Sequence, residues 1–233
     1  MLRHTTGRPL DLPCTTGKET CTLDVPPGGP DALWSAIGSK PRNLVRKAER
    51  AGLAADLEGP AGLAAFHAVY AENMRDLGTP SLGCGFFRVL LEELGPDALV
   101  HVVRRGRRPV AGAVAVRFRD RYEVPWAGSL RRYRDSAANM LLYWQLLRHA
   151  ARTGARTFDF GRSTPGSGPY RFKLQWGAEP EPLPWYFVGP PGRVPTAELA
   201  PTNPKYAAAI WLWKRLPVGI ARTLGAHLAP KLP

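Results

Sequence analysis

The chain has 233 residues, of which 44% are hydrophobic, and 32 Lys and Arg against 19 Asp and Glu give a formal net charge of +13. That length and apolar content can bury the core of one large domain or two small ones, and they exclude a disordered tail. The charge points to an anionic partner (nucleic acid, a phosphorylated metabolite or a membrane surface) or simply to a solvated basic face, and composition does not choose among these.

The N-terminus, MLRHTTGRPLDLP, has no apolar h-region, so no signal peptide is expected. Residues 1–18 are polar and turn-rich and read as a flexible lead-in. Residues 20–25 alternate and predict a strand, 26–30 a turn, and Asp31 the cap of a helix over 32–38. Helices are expected over 43–51, closed by Gly52, over 61–75 and over 86–94. Strands follow over 99–104, 110–119 and 122–127, the last two joined by a hairpin at Asp120-Arg121. Asp135 or Ser136 is expected to cap a helix through Arg152, whose Leu141, Trp144 and Leu147 form an apolar stripe. A short buried strand over 157–160, a loop over 163–169 and a last strand over 185–188 complete the domain. A proline-rich loop over 189–204 leads to terminal helices over 206–214 and 218–228, split by Pro217. The expected class is a mixed α/β (α+β) domain over 19–190, with residues 191–233 as a C-terminal extension. No repeat occurs, and no run reaches the roughly 18 apolar residues of a spanning helix.

Cys14, Cys21 and Cys84 are odd in number and unpaired in spacing, which fits a reducing compartment. With no CxxC, no HExxH and scattered histidines, no metal site is expected. Four groups of residues can carry chemistry. Arg42, Arg46 and Arg50 share one helix face, where they repel; a bound phosphate would relieve that cost, and a solvated face is the alternative. Arg75 and Asp76 end a helix at Gly78 and can equally be plain surface charges. Phe158-Asp159-Phe160-Gly161-Arg162-Ser163, running on to Tyr170-Arg171-Phe172-Lys173, is a buried strand feeding a glycine-bearing loop. Backbone N–H groups there, with Arg162, Arg171 and Lys173, can hold an oxyanion or a phosphate, and a basic surface loop is the alternative. Glu123, in Tyr122-Glu123-Val124-Pro125-Trp126, is either a base or an arginine partner. Finally, no acid follows Glu198, while Lys205, Lys214, Arg215, Arg222 and Lys231 interleave with Trp211 and Trp213. Such a segment either lies on an anionic membrane or docks on the core.

Taken in order, NLVRKAERAGL, NMRDLGTP, YEVPWAGS, ANMLLYW, FDFGRS, YRFKLQWGA, NPKY and WKRLP closely resemble the FemAB-related proteins of the PEP-CTERM/exosortase system, from about Thr20 to Pro233. The resemblance implies a GNAT-like acyl-transferase fold, here a single module with a C-terminal helical extension and without the upstream module of longer relatives. The better-known FemAB proteins move an amino acid from aminoacyl-tRNA to the amine of a cell-wall precursor. The resemblance therefore implies an acyl or aminoacyl transferase acting on an amine, with Lys173 stabilising the oxyanion, helped by Arg171, and Asp159 or Glu123 handling the amine. Arg42, Arg46, Arg75, Asp76, Trp126, Asn139, Arg162, Ser163 and Tyr170 are the expected substrate-binding residues. No bound cofactor is expected; the donor is aminoacyl-tRNA or acyl-CoA. The glycine-rich turn by which GNAT enzymes hold acetyl-CoA reads Arg131-Arg132-Tyr133-Arg134-Asp135-Ser136-Ala137-Ala138 here, without glycine, which argues against tight acetyl-CoA binding. The expected partners are tRNA, CoA or a phosphorylated glycan or lipid precursor, and not DNA. The expected location is the cytoplasm, with contact at the inner membrane through the C-terminal helices. A non-catalytic binding module of an exopolysaccharide assembly system is the alternative function.

Overall fold

The computed structural model describes residues 2–3, 10–187 and 204–231. The first strands are β1 (Leu2–Arg3), β2 (Cys14–Thr15) and β3 (Glu19–Asp24). Helices α1 (Gly29–Ala36) and α2 (Ser39–Arg50) follow, then β4 (Leu53–Leu57). Next come α3 (Leu63–Leu77) and α4 (Cys84–Leu94). Strands β5 (Ala98–Arg105), β6 (Arg108–Phe118) and β7 (Arg121–Ser129) form an antiparallel meander. Helix α5 (Ala138–Arg152) crosses over to β8 (Thr157–Ser163), which pairs with β7 in parallel. The chain continues through α6 (Gly168–Leu174), β9 (Glu179–Pro182), β10 (Trp185–Tyr186), α7 (Pro204–Trp213) and α8 (Val218–Leu228).

One seven-stranded sheet has the order β4-β5-β6-β7-β8-β3-β9, and β1-β10-β2 make a small second sheet. The run Val110–Val116 is apolar throughout because both faces of the sheet are covered. On one face Ala111, Ala113 and Ala115 meet α5, with α1 and α2 packed on that helix. On the other, Val100, Val102 and Val114 meet Phe66 and Tyr70 of α3 and Phe87 of α4. This is the expected mixed α/β architecture.

Several local expectations change. Residues 14–15 of the lead-in are strand, paired with Trp185–Tyr186. Helix α1 begins at Gly29, where Gly28 and Gly29 both hold positive φ, so Asp31 lies in its first turn and does not cap it. Neither Asp135 nor Ser136 caps α5: they lie in a 3-10 turn, and the cap is Ala137 in left-handed backbone (φ 57°). The Ser136 hydroxyl instead donates to the Tyr133 carbonyl. The proline-rich loop lies outside the described residues except for Pro204, which opens α7.

The C-terminal helices dock. Arg75 pairs with Asp76 and donates to the Leu216 carbonyl at 3.0 Å, tying the end of α3 to the α7–α8 junction. Ala221 and Gly225 of α8 are buried, and a Cβ at Gly225 would stand 2.9 Å from the backbone N and O of Ser81. Ordinarily Gly→Ala within a helix stabilises by about 0.5–1 kcal/mol. Here the clash is with backbone, which cannot move aside as a flexible side chain can, so overpacking wins. Gly225→Ala should lower stability by about 1–3 kcal/mol, read as a lower Tm and faster proteolysis of α8. An unchanged or raised Tm would contradict the docked arrangement.

Candidate active site

The site exists because β7 and β8 pair over only three residues, Arg121↔Thr157, Tyr122↔Phe158 and Glu123↔Asp159, and then part. Two local features separate them. On β7 the register against β6 slips between Val114↔Trp126 and Val116↔Glu123. The extra residue falls at Val124-Pro125, and Pro125 has no N–H to offer a neighbour. This bulge breaks the alternation: Tyr122 and Val124 join the α5-side core, whereas Trp126 packs on the α3–α4 side. On β8 the register against β3 slips between Thr20 and Thr22, and Gly161 takes φ 75°. A Cβ at Gly161 would stand 3.2 Å from the Val124 carbonyl, so the position needs glycine for both conformation and space.

The gap is a cavity of about 570 Å³. Its lining includes Glu123, Trp126, Tyr143, Asp159, Arg162 and Lys173. Lys173, on α6, is only 5% exposed. Its ammonium donates to the carbonyls of Gly161 and Arg162, the kinked part of β8. Helix α6 is fixed in turn by Ser167, whose hydroxyl accepts from the Tyr170 N–H as N-cap. Burial pulls the Lys173 pKa down to about 8, while Cys21 and Asp159 oppose the shift.

Asp159 is fully engaged. One oxygen accepts from the Thr20 hydroxyl at 2.5 Å and the Gly161 N–H at 2.7 Å; the other takes the Arg121 guanidinium at 2.7 and 3.2 Å. These bonds hold the bulge and engage both Asp159 oxygens. Glu123 stands beside it and accepts no hydrogen bond among the described residues. Its pKa is raised, first by desolvation between the cleft walls and then by the Asp159 charge, with Arg121 opposing. Glu123 faces the open cleft, and this exposure limits the push. Across the cavity, burial raises the pKa of the Tyr143 phenol, whose ring stacks on Phe160 with centroids 5.5 Å apart. Trp126 meets Phe86 and Phe87 edge-on, and Arg162 lies over the Trp185 ring.

Residues 39–174, more than half of the sequence and including Lys173, match the family described as acetyltransferase (GNAT) domain. The chain belongs to this family. No curated protein matches it. Among solved structures, the GNAT domain resembles FemX, with TM-score 0.62 and 15% identity over 72% of this chain and 61% of that one. It also resembles L-PGS from Bacillus licheniformis, with TM-score 0.58 and 14% identity over 88% of this chain and 66% of that one. These likenesses are of fold, and the chain spans less than two thirds of the length of either protein.

The GNAT cleft gathers Glu123, Trp126, Asp159, Arg162 and Lys173 from the expected residues, and leaves the others outside its lining. Arg42 and Arg46 sit on α2, which packs on α5, and Arg46 lies over Trp34. Arg75 and Asp76 serve the C-terminal docking. Arg171 donates twice to the Gly166 carbonyl, closing the loop before its own helix. Ser163 is buried with its hydroxyl unpartnered among the described residues. Asn139 is half-buried in the first turn of α5. The Tyr170 hydroxyl is held above its usual pKa by the Glu19 carboxylate beside it. Thr20, Tyr143 and Trp185 were not singled out in the sequence, and all three line the cleft. For Tyr143 a signal existed, since its polar tip interrupts an otherwise apolar stretch of α5.

The buried lysine gives a stability prediction. Its folded pKa lies below the unfolded value of 10.5. Between about 8 and 10.5 the unfolded chain therefore binds the more protons, and stability rises with pH. Relative to Lys173→Met, the wild type should gain up to about 3 kcal/mol across that window, measured by urea unfolding. A pH-independent difference would contradict the buried charge.

Proposed function

We propose that the cleft transfers an acyl or aminoacyl group to the amine of a cell-envelope or exopolysaccharide-related acceptor, in a system of the PEP-CTERM type. The observation that carries this reading is a buried lysine, held by two backbone carbonyls, in the opening of a GNAT sheet. The eight ordered motifs support the acceptor class.

The acceptor amine attacks the donor carbonyl; a C–N bond forms and the carbonyl oxygen becomes an oxyanion. Two Lys173 protons are engaged by carbonyls, which leaves a third N–H for that charge. Glu123, whose raised pKa suits a base, takes the amine proton. As the intermediate collapses, the bond to the leaving group (a thiolate or a ribose oxygen) breaks. A proton returns to the leaving group from Tyr143, which lines the cleft, or from water. Arg162 supplies charge for a phosphate of donor or acceptor. Side chains at every position from Arg131 to Ala138, including the buried Ala137 methyl, favour aminoacyl-tRNA over acetyl-CoA as donor.

The test is mass spectrometry of envelope-precursor amines incubated with charged tRNA or acetyl-CoA. Charged tRNA should be the better donor, and kcat should fall as pH rises through about 8, where Lys173 loses its proton. Lys173→Met should lower kcat by roughly 100- to 1,000-fold. Lys173→Arg should rescue poorly, since a planar guanidinium does not replace a compact ammonium, and Lys47→Met on α2 should have no effect. A ligand-dependent thermal shift without product would overturn catalysis in favour of a binding module. Near-normal turnover in Lys173→Met would remove the lysine from the mechanism.

A further inference from the structure

The docked C-terminal helices expose a surface that the transfer chemistry does not use. Helix α8 buries Ala221 and Gly225, and this turns Ile220, Leu224 and Leu228 outward at a spacing of four residues, along one stripe. On α7, Ile210 lies against Gly78 and the Trp213 indole N–H is buried, whereas Trp211 and Leu212 are 57% and 58% exposed. Five large apolar side chains in water on two consecutive helices are more than the single scattered residues of an ordinary surface. Around them Lys214, Arg215 and Lys231 are exposed, whereas Arg222 lines the pocket beside His67, Cys84 and Ala226. The Arg215 guanidinium sits 3.6 Å from the Trp211 ring centroid and donates to the Trp211 carbonyl, so that cation and indole form one unit. No Asp or Glu follows Glu198 in the sequence, so this segment carries no opposing charge.

We infer that α7 and α8 form a docking surface for an anionic lipid bilayer. The helices would lie in the headgroup plane, with Ile220, Leu224 and Leu228 in the acyl boundary and the basic side chains among the phosphates. The combination of groups selects this occupant. RNA would neutralise the cations but leave the aliphatic stripe in water. A second copy of the chain would cover the stripe but bring the same cations face to face. A bilayer with anionic headgroups satisfies both at once. No helix among the described residues is long and apolar enough to cross a membrane, so the contact is with one leaflet. Helix α8 is tied to the cleft wall through α4: Trp126 packs on Phe86 and Phe87 of α4, and Gly83, the cap of α4, lies against Ala226 of α8. The inference stands apart from the chemistry proposed for the cleft, because it rests on the C-terminal helices alone.

The test is co-sedimentation of the full chain with extruded vesicles of phosphatidylglycerol mixed with phosphatidylcholine, and with phosphatidylcholine alone. Binding is expected to the first, weakening with salt, and not to the second. The triple variant Ile220→Ser, Leu224→Ser, Leu228→Ser leaves the buried Ala221 and Gly225 in place, and circular dichroism and Tm check that it stays folded. It should lower the partition coefficient by more than about ten-fold. Lys214→Glu with Arg215→Glu should do the same, since each cation at an anionic surface contributes about five-fold. Undiminished vesicle binding by the triple variant would overturn the inference. So would RNA binding with no vesicle binding, or a solution dimer that the triple variant dissociates.

Discussion

The hydrogen bonds from the Lys173 ammonium to the Gly161 and Arg162 carbonyls fix the geometry on which the site depends. A strand that kinks at a positive-φ glycine loses regular ladder bonds and exposes carbonyls with no strand partner. An ammonium buried beside them satisfies those acceptors, and the acceptors in turn hold a charge that the interior would otherwise expel. Asp159 does the same from the other side, taking the Gly161 N–H and the Thr20 hydroxyl while Arg121 balances its charge. The bulge is thus clamped by one cation and one anion of opposite roles. Asp159 shapes the strand, and Lys173 both shapes it and presents a donor to the cleft.

The chain's excess of basic residues has several uses, and few of them concern the site. Arg104 forks onto Glu58, linking β5 to the segment before α3, and Arg132 pairs with Glu72 between the turn before α5 and α3. Arg75 holds the α7–α8 junction, and Arg171 closes a loop. The cations of α2 and of the C-terminal helices face outward. A net charge of +13 therefore describes a molecule with a structural set of arginines, a small cleft set and a basic exterior. Only the last two bear on partners.

Sequence reading succeeded where local patterning and tertiary packing agree. The strands expected over 99–104 and 110–119, the short link into β7, the strong helix α5 and the break at Pro217 followed from spacing, although the turn falls at Arg119-Asp120 and not at Asp120-Arg121. It failed where backbone geometry carries the signal. Leu53–Leu57 lacks β-branched residues and gave no strand signal, yet the sheet recruits it as an edge strand. The start of α5 looked capped by Asp135 or Ser136, but the chain turns through a left-handed alanine that no propensity marks. Arg42 and Arg46 were expected to meet a phosphate or form a solvated face, and they lie on α2 outside the cleft lining; Arg162, expected as well, is brought to the cleft by the parting of two strands. Tyr143 and Thr20 are ordinary residues in sequence; the crossover and the β3–β8 register give them their position. The fold brings the motif residues Glu123, Trp126, Asp159, Arg162 and Lys173 together around Pro125 and Gly161, the two residues that open the sheet.

The central claim is that Lys173 is a buried, charge-perturbed amine at the kink of β8. NMR titration of lysine methylene carbons labelled with carbon-13 reads this directly. The account predicts a lysine resonance that titrates near pH 8 and is absent from Lys173→Met. A spectrum with no lysine resonance titrating near pH 8, or one in which that resonance persists in Lys173→Met, would contradict it.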